Sequence, residues 1–239
     1  MLNYQKTAQA FDLKTVANHL LSGSIDALNA CYECCDRYAD SERIALYWYG
    51  KDGRKEQYTF SELKKYASQF ANFLKSQGVG KGDRISGLLP RTSELIITIL
   101  AAWRIGAVYQ PLFTAFGSKA IEHRIKLANS KLVVTDLGNR HKLSEMTDCP
   151  TIVTVHVKQE AALYPQDLSF WTELNSQSET CELVMLNIND PFLLMFTSGT
   201  TGPAKPLHVP LKALIAFGGY MQDAIGLTAK DAFWNIADP

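Results

Sequence analysis

Phe192-Leu193-Leu194-Met195-Phe196-Thr197-Ser198-Gly199-Thr200-Thr201-Gly202-Pro203-Ala204-Lys205 is the stretch that decides the fold. Phe192–Phe196 is an apolar run of strand length. It leads without a break into a segment of hydroxyls and glycines that ends on a lysine. Beyond Pro210, residues 211–225 read as a helix. A strand, a hydroxyl- and glycine-rich loop and then a helix form a layout that suits phosphate binding.

The chemistry of the loop follows from its residue types. Gly199 and Gly202 let the backbone turn tightly and approach a ligand closely. Successive backbone N–H groups in such a turn can form a nest for an anion. Ser198 and the threonines Thr197, Thr200 and Thr201 add hydroxyl donors, and Lys205 adds a positive charge for a phosphoryl oxygen. Together they would stabilise charge on a pyrophosphate leaving group. A flexible surface loop has a similar composition, so composition alone leaves that alternative open. Other nucleotide signatures do not fit. Gly199 and Gly202 are too close for a Walker loop, and Pro206 follows Lys205 where Ser or Thr is required. Neither a Gly-x-Gly-x-x-Gly fingerprint nor a Gly-x-Ser-x-Gly elbow occurs.

Working outward, strands and helices alternate. Residues 84–89 read as a strand ended by Pro90, 93–104 as an apolar helix ended by Gly106, and 107–110 as a strand ended by Pro111. Residues 118–128 read as a helix, 132–135 as a strand, 139–146 as a helix and 151–155 as a strand. Upstream, 44–49 and 56–60 pair as a hairpin around Asp52-Gly53. Thr59 and Glu62 form a capping box for a helix that reaches Gln77 and ends at Gly78 and Gly80. The first forty residues read as helical, with 27–38 placing Leu28, Cys31 and Tyr38 on one side. Residues 158–186 are more polar and read as a surface excursion with a short helix near 168–174. This alternation predicts an α/β fold with a mostly parallel, covered sheet and flanking helices.

Composition bounds the function. Of the 239 residues 46% are apolar, and 24 Lys plus Arg balance 24 Asp plus Glu. Neutrality gives no electrostatic reason to expect nucleic acid or an anionic membrane as partner. No apolar run approaches the roughly 20 residues of a membrane span, and the N-terminus lacks a signal-peptide pattern; the expected location is the cytoplasm. Cys31, Cys34 and Cys35 crowd together, but Cys149 and Cys181 are isolated. A metal site would need a second ligand pair, so no metal ligand is expected and buried thiols are. His123, between Glu122 and Arg124, is expected to be solvated or salt-bridged. Trp103 and Arg104 are expected to pack and to cap.

Phe196-Thr197-Ser198-Gly199-Thr200-Thr201-Gly202 resembles the signature loop of the adenylate-forming (AMP-binding) superfamily, which includes acyl-CoA synthetases, luciferases and peptide-synthetase adenylation domains. Tyr58–Leu63, Gly82-Asp83-Arg84-Ile85, Leu89-Pro90-Arg91 and Gly106–Leu112 resemble further family segments. Glu122-His123-Arg124 is similar to a stretch of short- and medium-chain, acetyl-CoA synthetase-like members. The resemblance implies a reaction in which a carboxylic acid attacks the α-phosphate of ATP, and coenzyme A then displaces AMP to give a thioester. It implies that Thr197, Ser198, Gly199, Thr200, Thr201, Gly202 and Lys205 grip the ATP phosphates with Mg2+ nearby, Lys205 being the catalytic one.

The family's loop usually continues Pro-Lys-Gly, where this chain has Ala204-Lys205-Pro206. Pro206 removes a backbone N–H and fixes φ. Trp234–Pro239 resembles a segment that the family continues into its adenine- and ribose-binding motifs and its C-terminal lid domain. The chain is therefore expected to be the first part of the family's large N-terminal domain: 1–60 a helical start and hairpin, 61–190 an α/β subdomain, and 191–239 the phosphate-loop segment. Such a fragment is expected to be inactive by itself and to self-associate through uncovered apolar surface. A non-catalytic nucleotide-binding or interaction module, and an adenylation domain serving a carrier protein, are the alternatives. The acyl group is expected to be short or medium and aliphatic.

Overall fold

A computed structural model of the chain describes residues 5, 6, 9, 12–156, 164–197 and 203–234. Its centre is a seven-stranded sheet. The strands in chain order are β3 (Arg84–Leu88), β4 (Val108–Pro111), β5 (Ser130–Asp136), β6 (Thr151–Val155), β7 (Leu168–Ser169), β8 (Pro191–Thr197) and β9 (Lys205–Pro210). In space they run β7-β6-β5-β3-β4-β8-β9. All neighbours are parallel except β8 and β9. Before them, β1 (Ile44–Tyr49) and β2 (Lys55–Thr59) form a separate antiparallel hairpin.

The order of the strands dictates which face each helix covers. The chain passes from β3 to its neighbour β4 through α4 (Ser93–Arg104), then returns past β3 to β5 through α5 (Ser118–Ala128). Crossovers in opposite directions, both right-handed, put their helices on opposite faces. The cores agree. One face gathers Ile97 and Ala101 of α4 with Phe70 and Phe73 of α3 (Phe60–Ser76), over Ile85, Leu132 and Val134. The other gathers Ile121 and Ile125 of α5 over Leu88 and Val133. Leu132, Val133 and Val134 thus alternate between the two cores, as the period of a strand requires. Coverage on both faces is why β5 reads as a continuous apolar run.

Local signals set the boundaries. Thr59 accepts from the Glu62 amide at 3.1 Å while the Glu62 carboxylate accepts from the Thr59 amide at 2.8 Å, closing the capping box of α3. Gly78 ends that helix at φ 74°. The strands β1 and β2, the helices α4 and α5, and β6 lie where the pattern puts them, to within a residue.

Four expectations need correction. The first forty residues are not continuously helical. Among the described ones, α1 (Leu13–Leu20) and α2 (Ala30–Cys34) are separated by a turn with isolated bridges, in which Leu28 pairs with Leu186. Asn29 starts α2 late because its Oδ1 accepts from Cys31 and Tyr32 as an N-cap. The helix expected over 139–146 is α6 (Leu137–Arg140) followed by a 3-10 turn, His141–Leu143. The polar region after β6 is not a mere surface excursion: β7 extends the sheet, and α7 (Phe170–Asn175) buries Phe170 and Leu174 completely. Third among its anchors is Asp167, which pairs with the buried Arg140 at 2.8 Å (Nη2–Oδ1). Finally, the helix expected over 211–225 is present as α8 (Ala213–Gly219) and a π-helical turn, Tyr220–Ile225, but an unexpected strand, β9, intervenes between it and the glycine-rich loop.

Arg104 does more than pack and cap. It is buried and donates to Asp36 Oδ2 at 2.8 Å and to the Cys181 carbonyl at 2.8 Å. Cys31 and Cys35 are buried, whereas Cys34 is exposed. Burial pushes the Cys31 thiol well above its ordinary pKa.

Candidate active site

The sequence-predicted site lies on the β8–β9 hairpin. β8 lies inside the sheet, next to its β9 edge, and is apolar: Phe192 and Leu194 are buried, and Leu193 pairs with Tyr109 of β4. Trp103 Nε1 donates to the Phe192 carbonyl at 2.8 Å and fixes β8 against the end of α4. β9 then returns along β8 in the register Leu194↔His208, Met195↔Leu207, Phe196↔Pro206 and Thr197↔Lys205. β9 is one of the two edge strands, and edges tolerate proline because one row of N–H groups has no ladder partner. Pro206 and Pro210 therefore fit a strand here.

The structure brings Thr197 and Lys205 together as cross-strand partners, both exposed, at the mouth of the loop. Lys205 thus springs from a strand end and not from a free loop. Ser198, Gly199, Thr200, Thr201 and Gly202 lie outside the described residues. His208 is exposed on β9, three positions back from the mouth.

Because β8 is parallel to β4, and β4 to β3 and β5, the hairpin mouth shares an edge with the segments that follow those strands. This is the carboxyl edge, where open α/β sheets bind ligands. After β4 come Phe113 and Phe116, whose rings pack at 5.2 Å between centroids. Lys142 Nζ ties this segment to the end of β5, donating to the Thr114 carbonyl and to Asn139 Oδ1. A cavity of about 460 Å3 opens where the β1–β2 hairpin faces the segments that follow β3 and β5, lined by Trp48, Glu56, Tyr58, Glu94 and Asp136 among others. Its carboxylates are engaged: Tyr58 Oη donates to Glu56 at 2.7 Å and Trp171 Nε1 to Glu94 at 3.0 Å.

At this edge His123 departs from its sequence expectation, and its neighbour Arg124 is withdrawn with it. Arg124 is partly buried, with its guanidinium 4.1 Å from the Phe116 ring centroid and 5.5 Å from that of Phe196. Its neighbour His123 has a buried Nε2 without a hydrogen-bond partner, so neither residue is the solvated or salt-bridged group that a charged helix face suggests. Glu122 pairs instead with Lys126 at 2.7 Å.

Comparison with known proteins agrees with this architecture. The AMP-binding enzyme family matches residues 33–239. The acetyl-coenzyme A synthetase of Bacillus subtilis is 33% identical over 99% of this chain and 42% of its own length. That of Syntrophobacter fumaroxidans is 33% identical over 88% of this chain and 35% of its own. A crystal structure of Brucella canis acyl-CoA synthetase superposes with a TM-score of 0.93 at 47% identity, covering 100% of this chain and 44% of that one. The chain therefore spans less than half the length of the relatives it matches. With sheet order, hairpin and matched span in accord, the chain belongs to the AMP-binding enzyme family.

Proposed function

We propose that the chain provides the phosphate-gripping surface of an ATP-dependent carboxylate–CoA ligase. In the reaction proposed, a carboxylate oxygen attacks the α-phosphorus of ATP, and the bond to the β-phosphate oxygen breaks, releasing pyrophosphate. The thiolate of CoA then attacks the acyl carbonyl and AMP departs. The observation that carries this reading is the pairing of Thr197 with Lys205 at the carboxyl edge, closing a loop of hydroxyls and glycines. A lysine fixed at a strand end holds its charge near the leaving pyrophosphate without a large ordering cost. Mg2+ is proposed to arrive with the nucleotide, since it is commonly held by one or two carboxylates plus phosphate oxygens. The names of the relatives favour a short acyl group and CoA over a carrier protein as acceptor.

The test is ATP–pyrophosphate exchange with a panel of carboxylic acids, run on residues 1–239 and on the complete product of the gene. Exchange is expected from the complete product and not, at a meaningful rate, from residues 1–239 alone. Those residues offer phosphate contacts, but positioning of both reactants supplies roughly 7–11 kcal/mol of such a barrier. Lys205→Ala is expected to slow exchange about a hundredfold and to affect thioester formation from preformed acyl-adenylate much less. Unchanged exchange in Lys205→Ala would refute the role of the hairpin. Nucleotide binding without exchange by either form would favour a non-catalytic module.

A further inference from the structure

Among the described residues, the arginines withdrawn from solvent are satisfied, with one exception. Arg37, Arg104 and Arg140 pair with Glu33, Asp36 and Asp167. Arg84 donates to the carbonyls of Gly82, Ala128 and Asn129. Arg124 has no carboxylate partner. Its Nη1 donates to the Ala120 carbonyl at 2.9 Å, and its Nε is buried with no partner at all. A desolvated guanidinium that lacks a counter-charge costs free energy, and burial pulls its pKa below the ordinary value for arginine.

The fold nevertheless holds Arg124 in place with care. Gln110 Oε1 accepts within a buried hydroxyl cluster joining β3, β4 and β5, 2.8 Å from Ser86 Oγ and 3.0 Å from Ser130 Oγ, which are themselves 2.6 Å apart. That leaves Gln110 Nε2 to donate to the Arg124 carbonyl at 3.2 Å, which pins α5 to the sheet at this residue. Phe116, beyond β4, and Phe196, next to Thr197, flank the guanidinium. The charge therefore sits beside the root of the phosphate hairpin, between the ends of two adjacent strands. A planar group with several fixed donors matches phosphate oxygens bidentately, and aromatic faces restrict its rotation.

We propose that Arg124 receives the oxygens of a diphosphate group held between the Phe113–Phe116 segment and the β8–β9 hairpin. The inference rests on the nucleotide-binding reading above and adds a residue to it. Two sources carry this chemistry: the β- and γ-phosphates of ATP, and the 5′-diphosphate of CoA.

The experiment is calorimetric titration of residues 1–239 with inorganic pyrophosphate, MgATP and CoA, for the wild type, Arg124→Gln and Arg124→Lys, with thermal unfolding of each protein recorded. Arg124→Gln is expected to weaken pyrophosphate at least about tenfold, as loss of a charged hydrogen bond would. Arg124→Lys is expected to recover part of the loss. A parallel loss for MgATP with CoA unchanged assigns the group to ATP; a loss for CoA with MgATP unchanged assigns it to the CoA diphosphate. A folded Arg124→Gln that binds all three like the wild type overturns the proposal while leaving the general reading intact. A wild type that binds none of them sinks both. If Arg124→Gln does not fold, the wild type is treated with phenylglyoxal, and modification of Arg124 is followed by peptide mass spectrometry. Protection by saturating pyrophosphate is expected, and an unchanged rate of modification would overturn the assignment.

Discussion

Tyr109 and Gly87 offer a direct test of the packing that sets β4 beside β3. Tyr109 is buried, and its hydroxyl has no hydrogen-bond partner. Its ring lies over Gly87 on β3: a Cβ there would come within 2.1 Å of Tyr109 Oη and 2.8 Å of Cζ. The hydroxyl is thus bought by the absence of a side chain at residue 87. An unpaired buried hydroxyl costs about 1–3 kcal/mol in mutational series. Tyr109→Phe deletes it and leaves a void smaller than a methyl group, so a gain of about 1 kcal/mol is expected, or a rise in Tm of roughly 2–4 °C for a chain of this size. Gly87→Ala forces the enclosed ring aside and should cost about 1–3 kcal/mol, as overpacking does. In the double variant the 2.1 Å clash is gone but the contact with Cζ remains. The two changes should therefore couple favourably, by at least about 0.5 kcal/mol. Urea unfolding of the four proteins, followed by far-ultraviolet circular dichroism, measures all of this. A Tyr109→Phe protein less stable than wild type by 1 kcal/mol or more, or strict additivity with Gly87→Ala, would refute the reasoning.

Three further outcomes are expected. Asp36→Ala strands the buried Arg104 guanidinium, now 2.8 Å from that carboxylate, and should cost about 3–5 kcal/mol in urea unfolding; a loss under 1 kcal/mol would show that the pair does not anchor the 3-10 turn after α2, Asp36–Tyr38, on α4. The Asp190 carboxyl is held below the usual carboxylate range by Lys81 Nζ at 2.9 Å and the Asn187 amide at 3.0 Å. A depressed pKa gives stability that is complete above the unfolded-state value, about 3.9, and is lost as pH falls through the folded one. Asp190→Asn should thus flatten the acid side of the stability profile below about pH 4, and an unaltered profile would count against the bond to Lys81. Exposed Phe217, Tyr220, Phe233 and Trp234 are expected to drive concentration-dependent association, which a monomeric sedimentation profile at high concentration would disprove.

Much of the sheet was legible because the chain punctuates it. Gly78, Pro90 and Gly106 bound α3, β3 and α4, and side chains at helical spacing between them leave little choice. Beyond these signals the pattern fails for identifiable reasons. β9 carries Pro206 and Pro210, which argue against a strand unless it is known to be an edge, and that is a fact about the neighbours. α7 is too short to show a period, so the complete burial of Phe170 and Leu174 does not appear in the pattern. Residue types carry the chemistry proposed for the hairpin: hydroxyls, glycines and Lys205 suit a phosphate group. Lys205's pairing with Thr197 is a matter of register, which a loop of mixed glycines does not encode. Arg124 hides for another reason. Its charge suggests solvent, and only the aromatic rings from two distant segments reveal that it is withdrawn.

The antiparallel return of β9 has a kinetic consequence. The β8–β9 pairing is local and can form early, as hairpins do within about 1–10 μs. Its seat is not local. Leu193 must find Tyr109, and the Phe192 carbonyl must meet a tryptophan 89 residues earlier in the chain. The Val184 carbonyl just upstream takes its bond from Asn29, 155 residues away. Long loops must close before such contacts return any free energy, which slows assembly. The β8–β9 hairpin is thus a quickly made part waiting for a slowly made socket. Until β3, β4 and β5 are in place, Phe192, Leu194 and Phe196 remain uncovered beside an open strand edge. In that interval the chain is most exposed to mispairing with another copy of itself.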